Sequence, residues 1–365
     1  MNFKKLGITL LSAALLAGCS SASSAAASNS STSTSIDTLK MQFVPSRDAE
    51  TIMQGTSKLP ELLKEQMAKR GYDIGNIEIT VGAGSDYNVT GEALASGSVD
   101  VAWLPASTYA NYMDETTVAL TATRDELSND STDPKTWNGE ENATTRVEGS
   151  PVTYYRGLMY AGPSENGRKL AAKVEAGEEL TWDDLNSCSW AVASTTSSSG
   201  YVYPTLWLMD HYDGKTLADL DHTTQLSYPQ AFAQAAAGTI DVVLCYADGR
   251  MDYAESWTMP TTETNKNGVQ GFGRSASIYD EMTVFAVTEG IYNDTVSLTK
   301  NPVKGHECVA TDEFKKAFQE SMIEIAGTDE GKEILAVYSH TGYEVADPKN
   351  YESLLKGLQT VASAN

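Results

Sequence analysis

Six consecutive hydroxyl side chains, Ser194 to Ser199, run directly into Gly200 and form the stretch of this chain best equipped for chemistry. Before them lies Trp190-Ala-Val-Ala193, an apolar run that reads as a strand. After them Val202, Leu206, Leu208 and Met209 recur at roughly helical spacing up to Tyr212. The hydroxyls therefore fall on a strand-to-helix turn. At a helix start the first backbone N–H groups lack intrahelical partners, and the dipole presents partial positive charge. Hydroxyl donors added there make a neutral cradle for a small oxyanion. Gly200 allows close backbone approach, and Pro204 suits the first helical turn, where its missing N–H costs nothing. A Ser-rich surface loop with an ordinary cap fits the same composition, so the elements around the turn must decide.

Other chemistries lack their residues. The chain has four His and no Gly-x-Ser-x-Gly elbow, no His-Glu-x-x-His or Cys-x-x-Cys spacing and no Gly-x-x-x-x-Gly-Lys-Ser/Thr loop. No cofactor and no metal are expected, and a binding protein is expected rather than an enzyme. With 365 residues the chain is long enough for two domains with real cores. Its formal net charge of −23 argues against nucleic acid or an anionic membrane surface as partner. No Arg or Lys neighbours the Ser-rich turn in sequence, so dipoles and hydroxyls are expected to supply most of any anion's stabilisation.

Positioning elements can be read along the chain. Lys4 and Lys5 precede an apolar stretch, Leu6 to Ala17, that is too short to span a bilayer and reads as a signal peptide over 1–18. Its end, Leu16-Ala-Gly-Cys19, resembles the lipobox of bacterial lipoproteins, which implies cleavage before Cys19 and lipidation of its thiol. Residues 19–36 are rich in Ser and Ala and read as a flexible tether, with the globular part beginning near Leu39. Strands are expected over 39–44, 77–81 and 99–104, with an amphipathic helix carrying Leu59, Leu62, Leu63 and Met67 and a second helix over 89–94. That alternation implies parallel pairing, with ligands gathering where the strands end. Residues 114–150 are acidic and turn-rich and read as a lengthened, solvated loop. Beyond it, Thr153–Tyr160 is expected to cross to a second lobe and the chain to return near Asp280. A helix over 314–326 completes lobe one. Cys188, Cys245 and Cys308 remain once Cys19 is modified; burial is their expected state, with a disulfide open to an extracellular protein.

Several of these stretches together resemble the substrate-binding proteins of phosphonate, phosphite and phosphate ABC importers. They are Val44-Pro-Ser-Arg-Asp48, Asp86-Tyr87 before a helix, Glu92 to Ala102, Leu104-Pro-Ala-Ser107, Ser197-Ser-Ser-Gly-Tyr201 with Pro204, and Ala231 to Asp241. The resemblance implies an α/β, type II periplasmic-binding-protein (Venus flytrap) fold. Lobe one would hold 37–155 and 283–365, lobe two 156–282, each a mixed sheet flanked by helices and joined by two hinge crossings. It implies that Ser197, Ser198 and Ser199 donate to the phosphonate oxygens while Tyr87 closes from lobe one. Tyr109 matches a family tyrosine at one residue's offset, and Tyr112 is a weaker candidate for it. Tyr228 stands where the family often has a His, and a phenol donates one hydrogen bond while staying neutral. Asp280 matches a carboxylate that meets the ammonium of an aminophosphonate, Asp248 is a second on a looser alignment, and Glu281 is the alternative for either role. The implied partners are a permease and a separate ATPase, for a lipid-anchored monomer on the outer face of a bacterial cytoplasmic membrane. Phosphate or phosphite binding, and presentation of the closed state to a sensor, are the alternatives.

Overall fold

The computed structural model describes residues 33–266 and 268–364. The leader, Cys19 and the tether up to residue 32 lie outside the described residues. The globular part starts earlier than Leu39: strand β1 is Thr34–Phe43, and Ile36 within it is fully buried.

The chain builds a first sheet, leaves it, and returns. Following β1 come β2 (Tyr72–Val81), β3 (Val101–Leu104), β4 (Thr116–Leu127) and β5 (Arg146–Val152). A second sheet then takes β6 (Tyr154–Ala161), β7 (Trp190–Val192), β8 (Thr223–Gln225), β9 (Val242–Tyr246) and β10 (Thr283–Tyr292). Finally β11 (Thr295–Thr299) and β12 (Gly342–Val345) rejoin the first. Sheet one runs β12-β4-β11-β3-β1-β2, with β5 paired to β4; sheet two runs β10-β6-β9-β7-β8. Both are mixed. β2 and β3 flank β1 in parallel, and β8 and β9 flank β7 in parallel, while β4, β6, β10, β11 and β12 make antiparallel pairs.

Alternation of side chains explains why each sheet is buried on both faces. On β9, Val243 and Cys245 enter one core with Phe232, whereas Val242 and Leu244 enter another with Leu170 and Trp190. On β3, Val101 and Trp103 face the core of Phe314 and Phe318; Ala102 and Leu104 face that of Tyr109 and Tyr351.

Two expectations change here. The return crossing is not near Asp280. β10 stays in sheet two, antiparallel to β6 with Tyr292 opposite Tyr154, so the chain passes back at Asn293–Asp294. Nor is 114–150 a solvated loop. It opens with the twelve-residue β4, whose residues 118–124 are all buried. Trp137 lies in the second sheet's core, and Asn138 Nδ2 donates to the Val284 carbonyl at 2.8 Å. Charge and turn residues at its far end hid a strand whose pattern is continuous rather than alternating. Cys188 and Cys245 are buried, Cys308 is partly buried, and all three are free thiols.

Candidate functional site

The three parallel strands at the heart of each lobe's pairing end at one place. β1 runs into Ser46 and Arg47, β2 leads to Tyr87, and β3 to Pro105. In sheet two β7 leads to Ser197–Ser199, β8 to Tyr228, and β9 ends on Tyr246. The remaining strands reach the same level, β4 toward its C-terminal end and β6, β11 and β12 at their starts. β4 contributes Arg124 and β6 contributes Tyr155, while Asp294 precedes β11 and Tyr338 precedes β12. These side chains line a small cavity between the sheets, of about 40 Å³. At roughly 10–15 Å³ per water, that volume suits a group of only a few heavy atoms.

The Ser-rich turn has the geometry its residues suggest. Ser197 caps the helix and its Oγ accepts from Gly200 N–H at 3.3 Å. The first turn, Ser198–Val202, is wide, with Val202 N–H reaching back to the Ser197 carbonyl at 3.0 Å; the regular helix Tyr203–His211 follows. A Cβ on Gly200 would stand 2.5 Å from the Ala193 side chain, so this turn needs glycine. Ser197, Ser198 and Ser199 are each at most 2% exposed. Tyr228 Oη lies 3.2 Å from Ser197 Oγ and 3.0 Å from Ser199 Oγ, which ties the cradle to the next helix. Burial raises the phenol pKa of Tyr87, Tyr155, Tyr228, Tyr246 and Tyr338, so all five present neutral hydroxyls.

The lobes meet across this turn. Ser107 N–H donates to Ser198 Oγ at 3.2 Å, the Thr108 hydroxyl to the Thr196 carbonyl at 3.0 Å, and the Ser194 hydroxyl to Asp86 Oδ1 at 2.8 Å. Charge also crosses. Arg47 Nη2 pairs with Asp252 at 2.8 Å, and its Nη1 donates to Tyr246 Oη. Arg124 Nη1 is 3.4 Å from Asp248, whose other oxygen takes Arg146 at 3.0 Å. Arg47 also borders an outer hollow of about 710 Å³.

Five of the expected site residues are brought together: Ser197, Ser198, Ser199, Tyr87 and Tyr228. Tyr109 is not among them. It is buried in lobe one, edge-on to Tyr351 with ring centroids 5.1 Å apart, because the helix Ala106–Asn111 turns it away from the cleft. Asp280 is exposed on the helix Ile278–Glu281, and Glu281 is taken by Arg274 and Trp257. Asp248 is 1% exposed and neutralised by two arginines, so it holds the cleft rather than lining it. The expectation that dipoles and hydroxyls supply most of any anion's stabilisation leaves out the cations that the structure brings in. Arg47 and Arg124 both line the cavity, and so does Asp294. Arg47 was within reach of sequence, since it lies in the Pro45-Ser-Arg motif after the first strand. Nothing in the sequence marks Arg124 or Asp294, whose strands meet others from distant parts of the chain. Arg124 Nε is buried without a hydrogen-bond partner, and its guanidinium stacks 4.4 Å over the Tyr155 ring.

Among the described residues no three His, Cys, Asp or Glu side chains are grouped as a metal site would need, and no helix is long and apolar enough to cross a membrane.

A family model described as the periplasmic substrate-binding protein of phosphonate ABC transporters matches residues 41–351. No curated protein matches the chain. Among solved structures, a binding protein component of an ABC phosphonate transporter from Pseudomonas aeruginosa is similar with a TM-score of 0.58 at 12% identity, covering 90% of this chain and 89% of that one. The PhnD1 protein of Prochlorococcus marinus, in complex with methylphosphonate, gives 0.59 at 10% identity, covering 89% and 98%. A putative thiamine pyrophosphate transporter of Mycoplasma hyorhinis, Mh-p37, gives 0.60 at 11% identity, covering 88% and 99%. At these identities the likeness carries the fold.

Proposed function

The chain belongs to the periplasmic substrate-binding proteins of phosphonate ABC transporters, a family of transport components rather than enzymes, and on that premise we propose that it captures a small phosphorus oxyanion, a phosphonate, phosphite or phosphate, in the cavity between its lobes. The observation that carries this reading is convergence: three buried serines, five neutral phenols and two guanidinium groups face one cavity of about 40 Å³. A tetrahedral oxyanion offers several acceptor oxygens, and this lining is rich in donor groups, although the hydroxyl protons of Tyr246 and Tyr338 already go to Asp252 and the Val44 carbonyl. Ser198 Oγ accepts from lobe one, yet its own proton remains free to donate inward. Arg124 Nε is a buried donor in need of an acceptor.

Ligand contacts from both lobes favour the closed state, because a ligand shifts a conformational equilibrium only through differential affinity. The closed form then delivers its cargo to a membrane permease driven by a separate ATPase, with Cys19 as the lipid tether. An ammonium contact through Asp280 or Asp248 is not part of this reading, since neither lines the cavity.

Calorimetric titration of the protein with 2-aminoethylphosphonate, methylphosphonate, phosphite and phosphate tests it. At least one should bind with one-to-one stoichiometry and no turnover, and Ser198→Ala should weaken that binding. Silence from all four ligands would remove the assignment.

A further inference from the structure

One lining side chain is at odds with the rest. Asp294 sits in the two-residue link between β10 and β11, where the chain passes from sheet two back to sheet one. It lines the same cavity as the serines, and its side chain is 19% exposed. Every other polar side chain of the lining is a Ser, Tyr or Arg and can donate. Groups near enough to interact with Asp294 are Arg47 from the segment after β1, Arg124 from β4, His340 before β12, and the phenols of Tyr87, Tyr155, Tyr228, Tyr338, Tyr343 and Tyr351. His340 Nε2 is 3.3 Å from Asp294 Oδ2.

The carboxyl is ionised at neutral pH. Burial alone would raise its pKa, but His340 and the guanidinium charges of Arg124 and Arg47 outweigh burial and hold it below the usual carboxylate range. His340 is neutral, its pKa lowered by burial and further by both arginines, against the pull of Asp294. An ionised carboxylate has lone pairs only. A ligand oxygen without a proton would meet it lone pair to lone pair, in a buried setting where repulsion is strong.

The charges around the cavity sharpen the point. Arg47 pairs with Asp252 and Arg124 with Asp248, while Arg146 reaches both carboxylates; the close partner of Asp294 is His340 rather than an arginine. The arginines are therefore largely committed before any ligand arrives.

We propose that Asp294 is a specificity-determining acceptor: it takes a hydrogen bond from an acidic P–OH of the ligand, so that the cavity admits phosphorus oxyanions that still carry a proton and rejects sulfonates and sulfate, which carry none. This rests on the anion-binding reading above. The serines and tyrosines cannot make this distinction, since a hydroxyl rotates to donate to either kind of oxygen.

Methylphosphonate and methanesulfonate separate the two cases. Below the second ionisation of methylphosphonate both are singly charged, tetrahedral and alike in size, and only the phosphonate has a proton. Calorimetry with the full chain at such a pH should show methanesulfonate binding at least about 100-fold more weakly than methylphosphonate, with sulfate silent. In Asp294→Asn, whose amide can donate, the gap should shrink to about tenfold or less. Equal affinities in the wild type, within about threefold, would overturn the proposal, as would an unchanged ratio in a folded Asp294→Asn protein. The wild-type comparison decides by itself if that variant does not fold. If methylphosphonate, phosphite and phosphate are all silent, the anion-binding reading falls and this inference with it. Binding of methylphosphonate with equal binding of methanesulfonate overturns this inference alone.

Discussion

Replacing Arg124 by Gln removes a guanidinium that the structure places between two duties. One is structural: Nη1 meets Asp248 at 3.4 Å, and the group stacks 4.4 Å from the centre of Tyr155. Asp248 keeps Arg146 at 3.0 Å, so the buried carboxylate is not left without a countercharge. The lost stacking contact costs about 0.5–2 kcal/mol, which lowers Tm by only a few degrees in a chain of this size. The other duty is toward ligand. Arg124 lines the cavity, its Nε is buried without a protein hydrogen-bond partner, and a hydrogen bond from a charged donor contributes about 1.5–3 kcal/mol. At about 1.4 kcal/mol per tenfold, Arg124→Gln should weaken anion binding by about 10- to 150-fold. A thermal scan first establishes that the variant folds, and calorimetry with the tightest of the four phosphorus ligands then gives Kd. A well-folded variant with Kd within about twofold of wild type would show that Arg124 does not touch the ligand, and the donor-cavity reasoning would lose its main cationic member.

Three further outcomes are expected. Tyr228→Phe removes the hydroxyl shared by Ser197 and Ser199; two hydrogen bonds at about 0.5–1.5 kcal/mol each should lower thermal stability measurably, while a melting curve identical to wild type would mean the cradle holds without it. His340 has a folded pKa below its unfolded value, so the unfolded state takes up the proton first as pH falls. Its contribution to stability is therefore present above about pH 6.5 and is lost as pH drops below that value toward the lowered folded pKa; denaturant titrations from pH 7.5 to 4.5 should show this slope, and His340→Phe should reduce it. Trp137→Ala empties a site that is 1% exposed in the second sheet's core and should cost about 3–5 kcal/mol, whereas a loss under about 0.5 kcal/mol would restore the solvated-loop reading of 114–150.

Residues 114–150 illustrate why part of the fold stayed hidden. β4 lies between β11 and β12 and is buried on both faces along most of its length. A strand in that position shows a continuous small-and-apolar run, Val118-Ala-Leu-Thr-Ala-Thr123, rather than an alternation. Followed by acidic and turn-forming residues, such a run has no period to reveal it. β10 misled in another way. Its strand character was plain, but which lobe it belongs to depends on pairing with β6, more than a hundred residues earlier.

The sequence by itself determined whatever depends on neighbours along the chain. The turn at Ser194–Gly200 follows from an apolar strand, a hydroxyl cap, a glycine and an early proline, all within about two helical turns, whereas the burial of its serines is tertiary. Tertiary structure decided the charges and the company of that turn. Arg124 lies some seventy residues before the serines and Asp294 some hundred after them, and they reach one cavity only because antiparallel strands bring their ends to where the parallel strands finish. The same pairing withdrew Tyr109 into a core and committed Asp248 to two arginines. The type of a side chain is local information. Whether it meets a ligand, a core or a countercharge is set by strand register between distant segments, and that register is stabilised by burial summed over the whole sheet.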